Sequence, residues 1–188
     1  NFVHYLYRQH QDIEVVVLDK MAYSGSWQSI EELKTYPGFH FLQGDIGDPT
    51  AVKTAMAGAQ VVVNFAAEVA VDRSILDPDS FLKTDIMGAY TLLQEARRQK
   101  QLQRFVQIST DEVYGDLDDD DPPCTEDAIL HPSSPYAASK AAGEMLLLAA
   151  QRTYDIPVCI SRCTNNYGPH QAAEKFIQKV DTGQARST

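Results

Sequence analysis

The chain is organised around one stretch, Phe105-Val106-Gln107-Ile108-Ser109-Thr110-Asp111-Glu112-Val113-Tyr114-Gly115. Its apolar first half predicts a short buried strand, and the hydroxyl pair, the adjacent acids and the glycine predict a turn where the strand ends. Ligands of open α/β sheets bind at the carboxyl ends of strands. Two neighbouring carboxyl groups there can act as proton donor and proton acceptor if their environments separate their pKa values. The alternative is an acidic loop in solvent.

Strands and helices alternate along the rest of the chain. Apolar, β-branched runs predict strands at residues 14–19, 39–45, 60–67 and 158–162, and the first is apolar on both faces, as buried parallel strands are. Helices are predicted at residues 1–10, 29–36 with Ser29 as cap, 48–57 with Asp48 as N-cap and Pro49 following, 79–100, 134–154 and about 169–180, before a patternless polar tail at 181–188. This alternation predicts βαβ units and a doubly wound parallel sheet of the α/β class.

The Gly-rich turn of a dinucleotide-binding fold is missing from the sequence. Such folds open with a strand, a G-x-G-x-x-G-like turn and a helix, and neither that motif nor G-x-x-G-x-x-G occurs here. The helix at residues 1–10 also has no N-cap signal before it. We therefore expect a Rossmann-like sheet without its first strand, in which the strands ending at Asp19 and Phe65 lack their shared neighbour. On this interpretation the chain is an internal segment of a longer protein and is inactive by itself.

Composition excludes several classes of partner. The net charge of −10 argues against nucleic acids and anionic membranes held by bulk electrostatics. We expect no membrane association, since the sequence has no signal peptide and no apolar run long enough to span a bilayer. The three cysteines, Cys124, Cys159 and Cys163, have no CxxC spacing, which argues against a disulfide framework or zinc site and favours a reducing, cytoplasmic setting. We predict no metal site, and interpret the acidic run at 118–121 as a solvated turn.

A tyrosine and a lysine four residues apart, Tyr136 and Lys140, form the second motif. This spacing puts both side chains on one face of a helix. A nearby ammonium lowers the pKa of a phenol, so the tyrosine can act as a base near neutral pH. Alone the motif is weak, and an ordinary exposed pair is the alternative. Here it follows a strand that ends in Ser109-Thr110, within a βαβ pattern.

The combined motifs resemble the extended short-chain dehydrogenases/reductases over about residues 1–176. The other stretches that carry the resemblance are Leu18-Asp19-Lys20, Gly44-Asp45-Ile46, Phe65-Ala66-Ala67-Glu68, Val71-Asp72-Arg73-Ser74, Ser133 to Ala142 and Arg162 to Pro169. Within that family, Thr110-Asp111-Glu112 is most similar to the dTDP-glucose 4,6-dehydratases. Related epimerases, decarboxylases and GDP-mannose dehydratases typically lack an Asp directly before the Glu.

The resemblance implies a nucleotide-diphosphate sugar, such as dTDP-glucose, as substrate and recycled NAD as cofactor. Tyr136, helped by Lys140, would take the proton of the sugar 4-hydroxyl while hydride leaves C4. Glu112 would remove the C5 proton, Asp111 would protonate the departing 6-hydroxyl, and Thr110 would hydrogen-bond the sugar near C4. The implied domains are an NAD-binding Rossmann-like domain at residues 1–162 and the start of a substrate-binding region at 163–188.

Binding residues carry over from the family by position. The implied cofactor contacts are Asp19, Lys20, Asp45, Ile46, Ala66, Ala67, Glu68, Thr84, Tyr136, Lys140 and Asn166, and the implied substrate contacts are Thr110, Asn165 and Lys175. Asp19 favours NAD over NADP, because a 2′-phosphate would meet its carboxylate. For Asp45 a turn or helix cap is the alternative.

The sequence departs from the family pattern at three places. Val69-Ala70 replaces a usual Ser-His pair, Asp85 replaces Asn and Ala173 replaces Pro. These departures leave two alternatives open: a nucleotide-sugar epimerase or decarboxylase of the same family, or an inactive fragment or degenerate paralogue that acts as a binding protein. The resemblance also implies a homodimer through the helices at 79–100 and 134–154, although packing on the sheet equally explains their apolar residues.

Overall fold

The computed structural model describes residues 1–10, 12–23 and 25–171. The chain divides into two compact units, one made of residues 1–43 with the described residues from Asn165 onward, the other Gly44–Thr164. Within the described ranges, no helix is both long and apolar enough to cross a lipid bilayer. The helix predicted to reach residue 180 and the tail at 181–188 extend outside the described residues, as do Ala173 and Lys175. The domain boundary expected after Arg162 stays a prediction.

The first unit contains one helix and a two-stranded sheet. Its elements are α1 (Phe2–Gln9), β1 (Val15–Asp19), 3₁₀ turns at Trp27–Ser29 and Glu31–Thr35, and β2 (Phe39–Gln43). β1 and β2 pair in parallel, Val15 opposite Phe39. The helix predicted at 29–36 is wrong: Ser29 ends the first 3₁₀ turn and caps nothing. Pro37 and Gly38 follow too soon for an uncapped α-helix to form between them and the first turn.

β1 is less buried than predicted. None of its residues is fully buried, and Val16 is 45% exposed. Within the described residues β1 pairs only with β2, and β3 (Val61–Asn64) of the second unit pairs only with β4 (Arg104–Thr110). Among the described residues, one edge of β1 and one edge of β3 have no strand partner.

The second unit has a three-stranded parallel sheet in the order β3-β4-β5. Its remaining elements are α2 (Pro49–Ala55), α3 (Val71–Leu76), α4 (Pro78–Phe81), a π-helical segment (Leu82–Gly88), α5 (Ala89–Ala96), a 3₁₀ turn (Asp111–Tyr114), α6 (Pro135–Tyr154) and β5 (Val158–Cys163). Asp48 caps α2 as predicted, since its Oδ1 accepts a hydrogen bond from the Thr50 N–H at 2.8 Å. β4 lies between the other strands, and Phe105, Val113 and Leu147 are fully buried around it.

The long helix predicted at 79–100 is interrupted by the π-helical segment. Phe81, Leu93 and Ala96 are buried, whereas the apolar side chains of Leu82 and Tyr90 are 47% and 45% exposed. The physical reason is the wider i→i+5 turn, which rotates the helix relative to a regular 3.6-residue pattern. Thr84, Asp85 and Gly88 of this segment face the interior instead.

Candidate active site

Thr110 ends β4 and holds the turn that carries the two acids. Its side chain is buried, and its Oγ1 accepts a hydrogen bond from the Glu112 N–H at 3.2 Å. The same hydroxyl donates to Asp111 Oδ1 at 3.3 Å. Thr110, at the predicted strand end, is therefore the N-cap of a 3₁₀ turn, which its side chain fixes. On this turn Asp111 is half-buried and Glu112 is exposed.

The two acids face a cavity of about 1210 Å³. Besides Asp111 and Glu112, it is lined by Tyr114 of the same turn, Arg162 of β5 and Leu148 of α6. Tyr136 does not line it, and instead meets the turn through Thr110. The lining also runs along β5 from Val158 to Arg162, an edge strand of the sheet formed by the described residues, so the cavity is not confined to the carboxyl ends of the strands.

Tyr136 and Lys140 lie in the first turns of α6. The helix begins at Pro135, and Ser134 caps it by accepting a hydrogen bond from the Ala137 N–H at 3.1 Å. Lys140 is 6% exposed and its Nζ donates to the Ile108 carbonyl oxygen at 2.9 Å. Tyr136 is half-buried, and its phenol forms a hydrogen bond with the Thr110 side chain. Both members of the motif therefore contact β4. The alternative, an ordinary exposed pair, does not describe this arrangement.

The expected lowering of the Tyr136 pKa is wrong for this structure. The pKa of Tyr136 is raised to about 12, chiefly by burial of the phenol and also by the negative charges of Glu112 and Asp85, while the hydrogen bond with Thr110 opposes the rise. Burial also lowers the pKa of Lys140, against the attraction of Asp85 and Glu144. The ammonium is directed to the Ile108 carbonyl, and burial together with the nearby carboxylates keeps the pKa of the phenol high.

Asp85 is a site residue whose importance the sequence did not reveal beyond its departure from the family pattern. It is 5% exposed, and its Oδ2 accepts a 2.8 Å hydrogen bond from Ser139 Oγ on α6. Its Oδ1 is buried and has no hydrogen-bond partner among the described residues. Burial raises the pKa of Asp85 to about 6, opposed chiefly by the charge of Lys140 and the Ser139 hydrogen bond.

A second network missed from the sequence joins β5 and α6 to the acidic turn. The Arg162 guanidinium donates to both carboxylate oxygens of Glu144, with Nη2 to Oε2 at 2.7 Å, and Glu144 is completely buried. Arg162 Nη1 also donates to the Tyr114 phenol and to the Glu126 carbonyl oxygen, both at 2.9 Å. The one available signal was the position of Glu144, four residues after Lys140 on the same helix.

A buried amide pair connects β3 to the lysine. Asn64 Nδ2 donates to Gln107 Oε1 at 2.9 Å, and Asn64 Oδ1 accepts from the Ala66 N–H at 3.1 Å. Gln107 Nε2 in turn donates at 3.2 Å to the Ile108 carbonyl that also receives Lys140. The small residues Ala66 and Ala67 after β3 are half-buried, so they leave backbone accessible near the strand end.

The other predicted contacts have local structural partners. Asp45 Oδ1 accepts from the Gly47 N–H at 2.7 Å, which is the turn-cap alternative, and Ile46 is 7% exposed. Glu68 and Thr84 are also buried, with Glu68 3.9 Å from an Arg73 nitrogen.

The remaining predicted contacts belong to the first unit. Asp19 Oδ1 accepts from the Met21 N–H at 2.6 Å, and the Asn166 carbonyl accepts from the Gln171 side chain at 2.8 Å. Lys20 is half-buried and Asn165 is exposed. Lys175 lies outside the described residues. The binding roles of all these residues stay predictions.

The chain is similar in sequence to a known protein family and to several characterised proteins. A family model described as GDP-mannose 4,6 dehydratase matches residues 1–187. A dTDP-glucose 4,6-dehydratase of Mycobacterium tuberculosis (strain CDC 1551 / Oshkosh) is 44% identical over 183 residues, 97% of this chain and 54% of that protein. Another, of Streptomyces niveus, is 46% identical over 169 residues, 90% of this chain and 49% of that protein. The chain spans about half the length of these curated relatives.

Solved structures share the fold. A dTDP-glucose 4,6-dehydratase from Streptomyces venezuelae with NAD bound matches with a TM-score of 0.88 and 39% identity, covering 97% of this chain and 57% of that one. A UDP-glucuronic acid 4-epimerase from Bacillus cereus in complex with NAD matches with a TM-score of 0.84 and 25% identity, covering 96% and 58%. These matches confirm the predicted Rossmann-like α/β fold.

Proposed function

The chain belongs to the family described as GDP-mannose 4,6 dehydratase, and on that premise we propose that the protein is an NAD-dependent nucleotide-sugar 4,6-dehydratase. The proposed reaction is hydro-lyase chemistry that converts dTDP-glucose to dTDP-4-keto-6-deoxyglucose. Identity above 40% to dTDP-glucose 4,6-dehydratases over nearly the whole chain supports this nucleotide and sugar.

The observation that carries the proposal is the position of Thr110. Its hydroxyl bonds the acidic turn on one side and the Tyr136 phenol on the other. A proton acceptor for a sugar hydroxyl and two carboxyl groups for an elimination are therefore assembled around one strand end. An oxidation alone would need only the first of these groups.

The oxidation half of the reaction belongs to Tyr136 and Lys140. NAD, when bound, would accept hydride from sugar C4 and later return it to C6. Tyr136, in its ionised form, would accept the 4-hydroxyl proton, with Thr110 orienting the same hydroxyl. The donor chemistry of Lys140 fits a dinucleotide. Its ammonium has three N–H donors and gives one to the Ile108 carbonyl, which leaves donors suited to ribose hydroxyls.

The elimination half belongs to the acidic turn. A 4-keto group makes the C5 hydrogen acidic, and Glu112, which is exposed on the cavity side, would remove it. Asp111 would donate a proton to the departing 6-hydroxyl oxygen, which leaves as water. Asp111 is half-buried and accepts a hydrogen bond from the Thr110 hydroxyl. Thr110, which would orient the sugar 4-hydroxyl, would therefore also fix the position of Asp111 relative to the sugar.

The nucleotide contacts are proposed from chemistry at each position. One carboxylate oxygen of Asp19 accepts a hydrogen bond from the Met21 N–H, and the carboxylate has further acceptor sites for ribose hydroxyls. A carboxylate at that position favours NAD over NADP by repelling a 2′-phosphate. We assign residues 1–162 to the cofactor and residues 163–188 to the start of the substrate-binding region.

The activity is tested with the protein at its full encoded length, dTDP-glucose and NAD. We expect a product lighter by one water, with a new C6 methyl signal by NMR. Asp111→Asn and Glu112→Gln should each lower kcat by roughly a hundredfold or more, as loss of a positioned acid or base does. Asp119→Asn, an exposed acid of the following loop, is the matched control and should retain activity. A product that is epimerised and keeps its 6-hydroxyl would favour the epimerase alternative.

We further propose a homodimer through the two long helices. α5 and α6 pack side by side, with the Arg97 guanidinium 3.7 Å from the centre of the Tyr154 ring. Both regions expose apolar side chains. Met87 of the π-helical segment, Tyr90 of α5 and Met145 of α6 are each about half exposed. A second copy presenting the same surface would bury them in a two-fold arrangement.

The oligomeric state is measured by light scattering at full length. Tyr90→Glu combined with Met145→Glu should yield monomers. Ile129→Glu, which changes a residue 88% exposed in a loop, should leave the dimer intact. A monomeric wild-type protein would refute this part of the proposal.

A cytoplasmic location is also proposed. Cys124, Cys159 and Cys163 take part in no disulfide among the described residues. Free cysteines are typical of reducing compartments. Localisation of a tagged full-length protein outside the cytoplasm would contradict it.

A further inference from the structure

We propose that Asp85 is a positioning residue for the Tyr136–Lys140 pair, whose buried carboxylate sets the charge on the phenol and the ammonium and thereby the pH range of the reaction. This inference rests on the proposed dehydratase function. It assigns a role to a residue that touches neither acid of the turn.

The first observation is the place of Asp85 in the fold. It lies in the π-helical segment Leu82–Gly88, a geometry that is rare and often found at functional sites. The segment packs closely against α6, because a Cβ on Gly143 would lie 2.9 Å from the Asp85 carbonyl oxygen. The contact brings the carboxylate to Ser139, which directly precedes Lys140.

The second observation is that this carboxylate is under-satisfied. Ser139 Oγ donates to Oδ2 and also to the Tyr136 carbonyl, both at 2.8 Å, so one hydroxyl is divided between two acceptors. Oδ1 is buried without a hydrogen-bond partner among the described residues. The Glu68 main chain gives the ionised carboxylate some support. A buried carboxylate with so few hydrogen bonds is still costly to ionise, and its charge is poorly screened from its neighbours.

The third observation is electrostatic coupling to both members of the motif. The charge of Asp85 favours protonated Lys140 and disfavours ionised Tyr136, since it opposes the fall in the Lys140 pKa and adds to the rise in the Tyr136 pKa. When Asp85 takes up a proton, both influences vanish. Removal of the charge should therefore make the phenol a base at lower pH.

Other charged groups lie near Asp85, Tyr136 and Lys140, and they also influence the charges of these three residues. The groups are Glu68 beside Asp85, Arg73 next to Glu68, Glu112 beside Tyr136, Glu144 beside Lys140, and Cys163 near both members of the motif. Glu144 is neutralised by Arg162, and Glu112 is exposed. Asp85 is the buried acid that couples to both Tyr136 and Lys140, so replacing it should produce the clearest effect.

The direct test titrates Tyr136 by NMR in full-length protein carrying ¹³Cζ-labelled tyrosine, with the signal assigned by its loss in Tyr136→Phe. Asp85→Asn should lower the titration midpoint of Tyr136 by about half a pH unit or more, because one buried negative charge is removed. Asp79→Asn, an exposed acid at the start of the same long helix, is the matched control and should leave the midpoint unchanged. Equal midpoints in all three proteins would overturn the proposal.

The kinetic test follows kcat/KM for dTDP-glucose against pH. Asp85→Asn should move the ascending limb to lower pH, in the same direction as the Tyr136 midpoint, with KM on the plateau unchanged. Loss of activity by the same factor at every pH would show a merely structural role and overturn the proposal. If the wild-type protein does not convert dTDP-glucose, the proposed function fails, while the NMR titration still decides whether Asp85 controls the pair.

A second variant keeps the proposal testable if Asp85→Asn folds poorly. Ser139→Ala retains the carboxylate and removes its hydrogen bond, which raises the pKa of Asp85 further because the ionised form loses a donor. Ionisation of Asp85 should also produce a small change in the Tyr136 NMR signal at the pH where Asp85 titrates. In Ser139→Ala this change should occur at higher pH. No movement in this variant would count against the proposal.

Discussion

Arg162 of β5 holds Tyr114 of the acidic turn by a 2.9 Å hydrogen bond from Nη1 to the phenolic oxygen. The same guanidinium is locked by the buried carboxylate of Glu144. The turn that carries Asp111 and Glu112 is therefore fixed at both ends, by Thr110 before it and by Tyr114 at its close.

The hydroxyl of Tyr114 should matter for elimination more than for folding. Tyr114→Phe removes the link to Arg162 and keeps the ring, so we expect a stability loss of about 1 kcal/mol, as for one hydrogen bond. The conversion rate of dTDP-glucose should fall roughly tenfold, because small misplacement of catalytic groups is costly. Urea denaturation and steady-state kinetics measure the two effects. Tyr154→Phe, which alters a ring near the end of α6, should change neither; an unchanged rate in Tyr114→Phe would refute the positioning role.

Glu144 should be among the most stabilising polar residues of the second unit. Glu144→Gln leaves Arg162 with an uncompensated, largely buried charge, and breaking such a pair costs about 3–5 kcal/mol. The control, Glu126→Gln, removes an exposed carboxylate whose residue contacts Arg162 only through its main chain. Chemical denaturation of both variants compares them, and similar unfolding free energies would contradict the account.

Asp85 should make the stability of the protein depend on pH. Its pKa is about 6 in the folded chain against an ordinary 3.8, so the folded state favours the protonated form and loses stability as pH rises through this interval. The loss approaches about 3 kcal/mol, from roughly two pKa units at 1.36 kcal/mol each. Asp85→Asn does not titrate there, so the difference in unfolding free energy between variant and wild type should grow from about pH 4 to about pH 7. A difference that is constant with pH would show that Asp85 keeps its ordinary pKa.

Ala70 occupies a backbone conformation that suits glycine. Its φ is +83° directly before α3, and L-residues rarely adopt this region. Ala70→Gly should therefore raise the unfolding free energy by about 1 kcal/mol, through relief of strain. Ala149→Gly, at an exposed position inside α6, should lower it by a similar amount because glycine weakens helices. Thermal denaturation gives both signs, and a destabilised Ala70→Gly would contradict the strain.

The sequence predicted the parts of the fold that depend on local pattern. Apolar runs placed all five strands, and the Thr-Asp-Glu and Tyr-x-x-x-Lys motifs placed Thr110 and Tyr136 on elements that the structure brings into contact. Local pattern wrongly predicted an α-helix at 29–36, where Pro37-Gly38 limits the segment to 3₁₀ turns.

Long-range pairing was the part that the sequence did not predict. Arg162 and Glu144 are 18 residues apart and Asp85 and Ser139 are 54 apart, so neither pair has a periodic signature. The π-helical segment that carries Asp85 packs closely against Gly143, a contact that no spacing of apolar residues encodes. The phenol's raised pKa follows from that packing, whereas the motif alone suggested the opposite shift.

The central claim is that one site both oxidises C4 and eliminates water across C5 and C6. The most direct measurement gives the full-length protein dTDP-glucose deuterated at C4 and locates the label in the product by NMR and mass spectrometry. We predict deuterium in the C6 methyl group of a 4-keto-6-deoxy sugar, with this product lost in Glu112→Gln. Deuterium retained at C4 of a sugar that still carries its 6-hydroxyl would contradict the account.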